Sequence, residues 1–361
     1  MNRRTAGLSD ESGNAMSSPQ AAPVRQAPHA TLRSTPDNII WGWIAANRPP
    51  VLRVRSGQSV RIDTVSNQGM NAGRDPVAYL GAAGIAAEDV LQDAKDIFRQ
   101  VRREEGAGSH VLTGPVHVEG AEPGDMLEVR VLDIELRVPY GVNSTGPGWG
   151  VLPELLAEPA AMVIKLDVER GVALFSGDVE VPLAPFMGII AVAPPPGLVR
   201  VSTKPPGPYG GNMDCRHLTA GSTLYLPVFN EGALLYTGDG HGAQGDGEVD
   251  GSALEMSLTP TLQVIVHKGA GASMKWPRAE DAAYHYTMGM DTDLDVALKN
   301  AVQEAVDFLQ RRAGLSAAEA YALCTLSVDF RVGEAVNLVK MVYGVIPKKL
   351  FRQAPAYWRA T

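Results

Sequence analysis

The sequence predicts a mainly β protein: a sandwich or barrel core with a smaller α/β unit at its C-terminal end. Three observations carry this. Short apolar or alternating runs recur from Ala30 onward, 38 glycines and 26 prolines punctuate the chain, and helical periodicity is concentrated after Asp293. Parallel sheets need crossover helices of a dozen or more residues between strands, and the spacing here leaves little room for them.

The elements follow in order. Residues 1–28 are rich in Ser, Ala, Pro, Asn and Gln without apolar periodicity, which predicts a disordered tail. Val51–Arg55 and Val60–Thr64 read as strands around the turn at Gly57. Between Ala87 and Glu105, Val90, Leu91, Ala94, Ile97, Phe98 and Val101 fall at helical spacing, predicting one interrupting helix. The turn Glu122-Pro123-Gly124-Asp125 then feeds an alternating strand, Met126–Ile134. Further strands are expected at Ala161–Val168, Val172–Phe175, Gly188–Ala193, Ser222–Val228 and Ala253–Val266. The pattern turns helical at Asp293–Ala313 and again at Leu315–Cys324, where Ser316 and Glu319 stand at capping-box spacing, and Leu326–Val332 reads as a strand. The expected organisation is therefore a β-rich core over 29–290 and a mixed subdomain over 291–361 packed upon it.

Composition narrows the function. A net charge of −8 and a pI near 5.4 argue against nucleic acid as a partner, since phosphate-backbone binding relies on clustered Lys and Arg. The first residues hold no apolar signal segment, and no run approaches the ~18 apolar residues of a membrane span. Cys215 and Cys324 are too few for a disulfide framework. No membrane association, a cytoplasmic location and a homodimer or higher homo-oligomer are the expectations.

The chemistry is expected in Gly238–Glu248, where Asp239, His241, Gln244, Asp246 and Glu248 are set among five glycines. Glycine permits positive φ and close approach to a ligand, and carboxylates with an imidazole are common donors to divalent ions. The spacing is neither an EF-hand nor a helical His-Glu-x-x-His site, so the residues alone leave the ion open. A complete shell needs donors from elsewhere, and His110 before Thr113-Gly114-Pro115 and Asp214 in Gly210-Gly-Asn-Met-Asp are the best outside candidates. No Gly-x-Ser-x-Gly elbow occurs, and Cys215 beside Asp214 is a poor thiolate.

These motifs resemble the acetamidase/formamidase family. The resemblance lies in His110-Val-Leu-Thr-Gly-Pro-Val, Glu119-Gly-Ala-Glu-Pro-Gly-Asp-Met-Leu-Glu-Val, Gly210-Gly-Asn-Met-Asp214, Gly221-Ser-Thr-Leu-Tyr-Leu-Pro and Gly238-Asp-Gly-His-Gly-Ala-Gln-Gly-Asp-Gly-Glu248. It implies a jelly-roll-like β fold, hydrolysis of a small linear amide of the formamide or acetamide type, and a divalent metal, with zinc expected and calcium the alternative. On that reading His110, Asp214, Asp239, His241 and Asp246 are metal donors. Glu248 is the general base and proton donor, His241 and Gln244 assist catalysis, and Asn212 and Gly242 face the substrate oxyanion. Two other readings stand beside it: a non-catalytic calcium-stabilised sandwich that binds a small ligand, and a metal-independent amidase using Ser222 or Thr113 as nucleophile.

Overall fold

A computed structural model describes residues 27–70 and 73–352, so the expected tail up to residue 26 lies outside the described residues. The architecture is mainly β, as expected. Among the described residues, nine strands form one large sheet and twelve the other, with a two-stranded ribbon of Trp43–Ala45 and Arg200–Ser202 beside them.

The nine-stranded sheet centres on Met126–Leu136, which pairs antiparallel with both Leu258–His267 and Thr223–Pro227. The twelve-stranded sheet centres on Leu235–His241, which pairs antiparallel with Phe186–Ala191, Glu255–Met256 and Val111–Glu119. All seven residues of Leu235–His241 and all six of Phe186–Ala191 are buried. Apart from Phe186, their apolar members join Leu127, Val129, Leu258 and Leu262 of the other sheet in one continuous core. Each fully buried Leu or Ile there contributes about 1.5–3 kcal/mol relative to exposure.

The interrupting helix is shorter than the periodicity suggested. It spans Gln92–Gln100, and a helical turn, Pro76–Gly81, precedes it with Asp75 as N-cap and Pro76 at the first helical position. The C-terminal helices are Leu294–Ala313 and Ala317–Ser327, and the Ser316–Glu319 capping box is formed. The long helix lies on Tyr284–Asp291, where Gly289 gives way to Ala297 and Ala301, because a Cβ at Gly289 would come within 2.1 Å of Ala301 N. Lys340–Pro347 pairs along the whole of Tyr284–Asp291, and Asp329–Glu334 pairs with Lys340–Pro347. The expected division at 291 therefore runs through one continuous sheet.

Candidate active site

The Leu235–His241 strand brings Asp239 and His241 to one side of the sheet, two residues apart. Antiparallel pairing sets Gly188 of the neighbouring strand opposite Asp239, since Met187 pairs with Gly240 and Ile189 with Gly238. On the far side of that strand Ile189 pairs with Asn212, and the carbonyl of Gly188 accepts from Met213 N and Asp214 N. Asp214 is thereby folded over Gly188 toward Asp239. Across the other edge His241 pairs with Glu255. Glu248 comes from the turn that follows, and its carbonyl accepts from Gly251 N.

The resulting cluster is buried and crowded with acid. Donor atoms of Asp214, Asp239 and His241 lie within 4.8 Å of one another, as do those of His241, Glu248 and Glu255. His241 Nε2 is 3.4 Å from Asp239 Oδ2 and 3.5 Å from Glu255 Oε1, and His110 Nε2 is 3.8 Å from Asp239 Oδ1. Asp214, Asp239 and Glu248 all have left-handed backbones, with φ of 44°, 59° and 45°. Such conformations cost on the order of 1–3 kcal/mol each in residues other than glycine and gather at functional sites.

Gln244 orients the imidazole. Its Nε2 donates to the Asp214 carbonyl, which turns its Oε1 toward His241 Nδ1 at 2.9 Å. Nδ1 therefore carries the proton and donates, and Nε2 is left pointing at the carboxylates.

Electrostatics agree with a site for positive charge. Burial raises the Glu248 carboxyl well above its usual range, with Asp214 adding to the effect, and burial pushes Glu255 up to about 8. Burial likewise raises Asp214. Burial also works against ionised Asp239, but His110 and His241 outweigh it and hold this group below the carboxylate range. Burial opposes charge on His241 too, yet Glu255 and Asp239 raise it well above the histidine range. So many buried carboxylates are compatible only with retained protons or with a cation among them.

The residues fit a divalent ion. His241 Nε2 and Asp214 Oδ1 are buried and make no hydrogen bond. The space before them is kept open by a missing side chain, since a Cβ on Gly188 would lie 2.4 Å from Asp214 Oδ1 and 2.6 Å from Asp239 Oδ2.

Two cavities border the cluster. One of about 620 Å³ reaches Gln244 and Glu248 between walls that include Ile164, Phe175 and Leu254. The other, about 450 Å³, reaches His110 and Glu255 past Asn67, Tyr79 and Trp149.

Of the sequence-predicted residues, His110, Asp214, Asp239, His241, Gln244 and Glu248 are brought together. Asp246 is not. Its carboxylate accepts from Tyr343 OH at 2.5 Å and lies 3.6 Å from Arg331, on the outer side of the turn, which corrects its expected place among the metal donors. Gly242 is also corrected, because its N–H is consumed by the Leu254 carbonyl and is not free for an oxyanion. Asn212 is buried with its Oδ1 unpartnered and lines neither cavity. The Ser222 hydroxyl donates to the Thr219 carbonyl and that of Thr113 to the Asp63 carbonyl, while burial pushes the Cys215 thiol up to about 12.

Four residues escaped the sequence reading. Glu255 lay hidden in an apolar run. Gly188 carried a usable signal, a lone glycine inside a strand pattern, which marks a close approach. Glu334 and Asn337 carried none, although Asn337 Nδ2 donates to Asp214 Oδ2 and burial beside Asp214 pushes Glu334 up to about 8.

Comparison with known proteins bears on this arrangement. The profile of the Acetamidase/Formamidase family matches residues 84–202 and 197–353. The chain belongs to this family. It is 29% identical over 233 residues to the acetamidase of Mycolicibacterium smegmatis, covering 48% of this chain and 57% of that protein. It is 25% identical over 258 residues to the formamidase of Methylophilus methylotrophus, covering 56% and 57%. The match thus spans somewhat over half the length of these curated acetamidase/formamidase relatives. Among solved structures, the acetamidase of Bacillus halodurans is similar with a TM-score of 0.73 and 29% identity over 90% of this chain and 99% of that one. The acetamidase of Yersinia enterocolitica follows with a TM-score of 0.72 and 27% identity over 90% and 93%. No helix among the described residues of this family member is long and apolar enough to cross a membrane.

Proposed function

We propose that this protein hydrolyses the C–N bond of a small linear amide, of the formamide or acetamide type, to a carboxylic acid and ammonia, with a divalent metal at the cluster. The observation that carries the reading is the buried His241 ring, whose Nε2 lies 3.4 Å from Asp239 and 3.5 Å from Glu255 with no well-aligned hydrogen bond, while Asp214 Oδ1 stands 3.8 Å from its Nδ1. The likeness to acetamidases and a formamidase supports an amide as substrate. Asp214, Asp239 and His241 would hold the ion, with His110 at the edge of the group. Zinc is the proposed metal. When bound, it supplies Lewis-acid polarisation of the amide carbonyl and makes water more acidic.

The chain's own residues do the remaining work. The amide approaches through the 620 Å³ cavity, whose apolar wall receives the acyl group and whose lining includes Glu248. Glu248 takes the proton of the attacking water and returns it to the nitrogen, which must be protonated to leave. Burial suits it to hold that proton between the two events. Gln244 keeps the His241 proton on Nδ1, which would leave Nε2 available as a donor. The calcium-clip and Ser/Thr-nucleophile readings gain no comparable support, since the donor set includes imidazole and both hydroxyls are engaged by carbonyls.

Ammonia release from amides running from formamide to hexanamide, measured on wild type before and after removal of metal by a chelator, tests this reading. Activity is expected to vanish on chelation and return with zinc. Glu248→Gln should lower kcat by about 10²–10⁴-fold, the usual scale of general acid–base catalysis, at undiminished zinc content. Unchanged hydrolysis by metal-free protein would sink the metal reading. Loss of zinc from the Glu248→Gln protein would make Glu248 a ligand.

A further inference from the structure

The cluster is completed from outside the sheet that carries it. The strand Asp329–Glu334 ends against the Gly238–Glu248 segment, where Gly247 N donates to Gly333 O at 3.0 Å and Ala335 N donates to Gly247 O at 3.1 Å. These bonds form an isolated parallel bridge between Gly247 and Glu334. Glu334 is fully buried, and its Oε2 accepts from both Val336 N and Asn337 N at 2.9 Å. That double acceptance fixes the turn from Glu334 to Leu338, which ends in a left-handed backbone at Leu338, φ 63°. The turn delivers the Asn337 side chain to Asp214, to whose Oδ2 its Nδ2 donates.

The two oxygens of Asp214 are thereby given different tasks. Oδ2 is anchored by Asn337, while Oδ1 makes no hydrogen bond and lies 3.8 Å from His241 Nδ1, beside the space kept open by Gly188. A carboxylate on a free χ2 would sample both orientations, whereas one with an oxygen pinned by a donor presents the other in a fixed direction. The Gln244 side chain fixes the backbone of the same residue by donating to its carbonyl.

We infer that Asn337 is a positioning residue for the divalent ion, braced by Glu334, and that the C-terminal strand pair is part of the metal site. The inference rests on the metal reading given above and adds where the ion's affinity comes from. Asn337 donates to Asp214 and acts through it.

The test uses the full chain. Zinc affinity is measured by competition with a chelating dye for wild type, Asn337→Leu, Asn337→Ser and Glu334→Gln, and each protein is melted with and without zinc. Removing such an outer hydrogen bond lowers metal affinity by about 10–100-fold. That loss is expected in both Asn337 variants, with zinc-free melting close to wild type. Glu334→Gln keeps a carbonyl oxygen for the two backbone donors, so its affinity should fall less. Asn337→Leu preserves volume and Asn337→Ser preserves polarity, so one stands if the other fails to fold. A folded Asn337 variant that binds zinc within about twofold of wild type overturns the inference, as does a change confined to zinc-free melting. Wild type that binds no zinc overturns the metal reading itself, and that result is read before any variant is compared.

Discussion

In the Leu294–Ala313 helix, local preference and fold agree at both ends, and the one buried charge is paired. Asp293 caps its first turn by accepting from Asp295 N and Val296 N, Gly314 ends it at φ 69°, and buried Glu304 is matched by Arg278 at 2.8 Å. The Leu235–Glu248 segment makes the opposite choices within the same core. Left-handed backbones fall on Asp239 and Glu248, while Gly238 and Gly240 are not in that region at all. Carboxylates there outnumber the groups that neutralise them, and an imidazole nitrogen is buried without a hydrogen bond. A chain tolerates such conflicts where a ligand or a reaction compensates them, so the contrast separates the part that stabilises the fold from the part that acts.

Two glycines bring that contrast to a single methyl group. Gly188→Ala should place a Cβ among Asp214, Asp239 and the His241 ring, whereas Gly289→Ala should drive one into the backbone of the long helix. A misplacement of about 1 Å at a reacting site can cost on the order of 10²-fold. Gly188→Ala is therefore expected to lose about that factor or more in zinc affinity and amide hydrolysis with modest loss of stability. Gly289→Ala should lose about 3 kcal/mol of stability or more from overpacking and keep wild-type zinc affinity in the folded fraction. Denaturant unfolding beside zinc titration reads both, and equal stability losses with equal retention of zinc would erase the distinction.

The same contrast explains what was legible in the sequence. Strand alternation, turn residues and the capping box are local, so both C-terminal helices and several strands were placed from residues alone, while others, among them Val111–Glu119, Leu235–His241 and Lys340–Pro347, were not. Asp239 and His241 were legible from their residue types in a glycine-rich segment, although the strand Leu235–His241 that carries both was not expected. The reason given for their glycines was wrong, however. A Cβ on Gly238 would meet the Val111 carbonyl at 2.4 Å and one on Gly240 the Met256 carbonyl at 2.6 Å, so these glycines admit neighbouring strands rather than a ligand. Asp246 shares its chemistry with Asp239, but the turn sends it to Tyr343, and no composition argument distinguishes the two. Glu334 and Asn337 reach the site only through sheet topology, which a single sequence does not contain.

Away from the site, a paired carboxylate gives the contrast a pH dependence. Burial alone would raise Glu280, but His285, Lys348 and Tyr225 outweigh it and bring it down to about 2, with Lys348 Nζ at 2.7 Å and Tyr225 OH at 2.5 Å. A carboxylate whose folded pKa is lowered contributes stability above its unfolded value, about 4.3, and loses that contribution as pH falls toward the folded value. Wild type should therefore lose stability faster than Glu280→Gln between about pH 4.3 and 2, with parallel behaviour above that window. Melting temperatures on matched pH series decide it, and curves that stay parallel throughout would remove Glu280 from the acid response.

The smallest effect expected lies at the second C-terminal helix. The Ser316 hydroxyl accepts from Glu319 N at 3.3 Å, and the Glu319 carboxylate accepts from Ser316 N at 2.9 Å, closing both orphan donors reciprocally. Ser316→Ala removes one half of this exchange on an exposed helix end and should cost about 1 kcal/mol. The helix it caps packs against Phe308 and Leu309 through Ala320 and Cys324, and none of these residues belongs to the cluster. Zinc affinity and kcat/KM should therefore remain at wild-type values while the unfolding midpoint falls. If the substitution instead weakens zinc binding, stability at this end of the sheet is transmitted through Asp329–Glu334 to Asn337, and the fold and the site are not separable along the C-terminal strands.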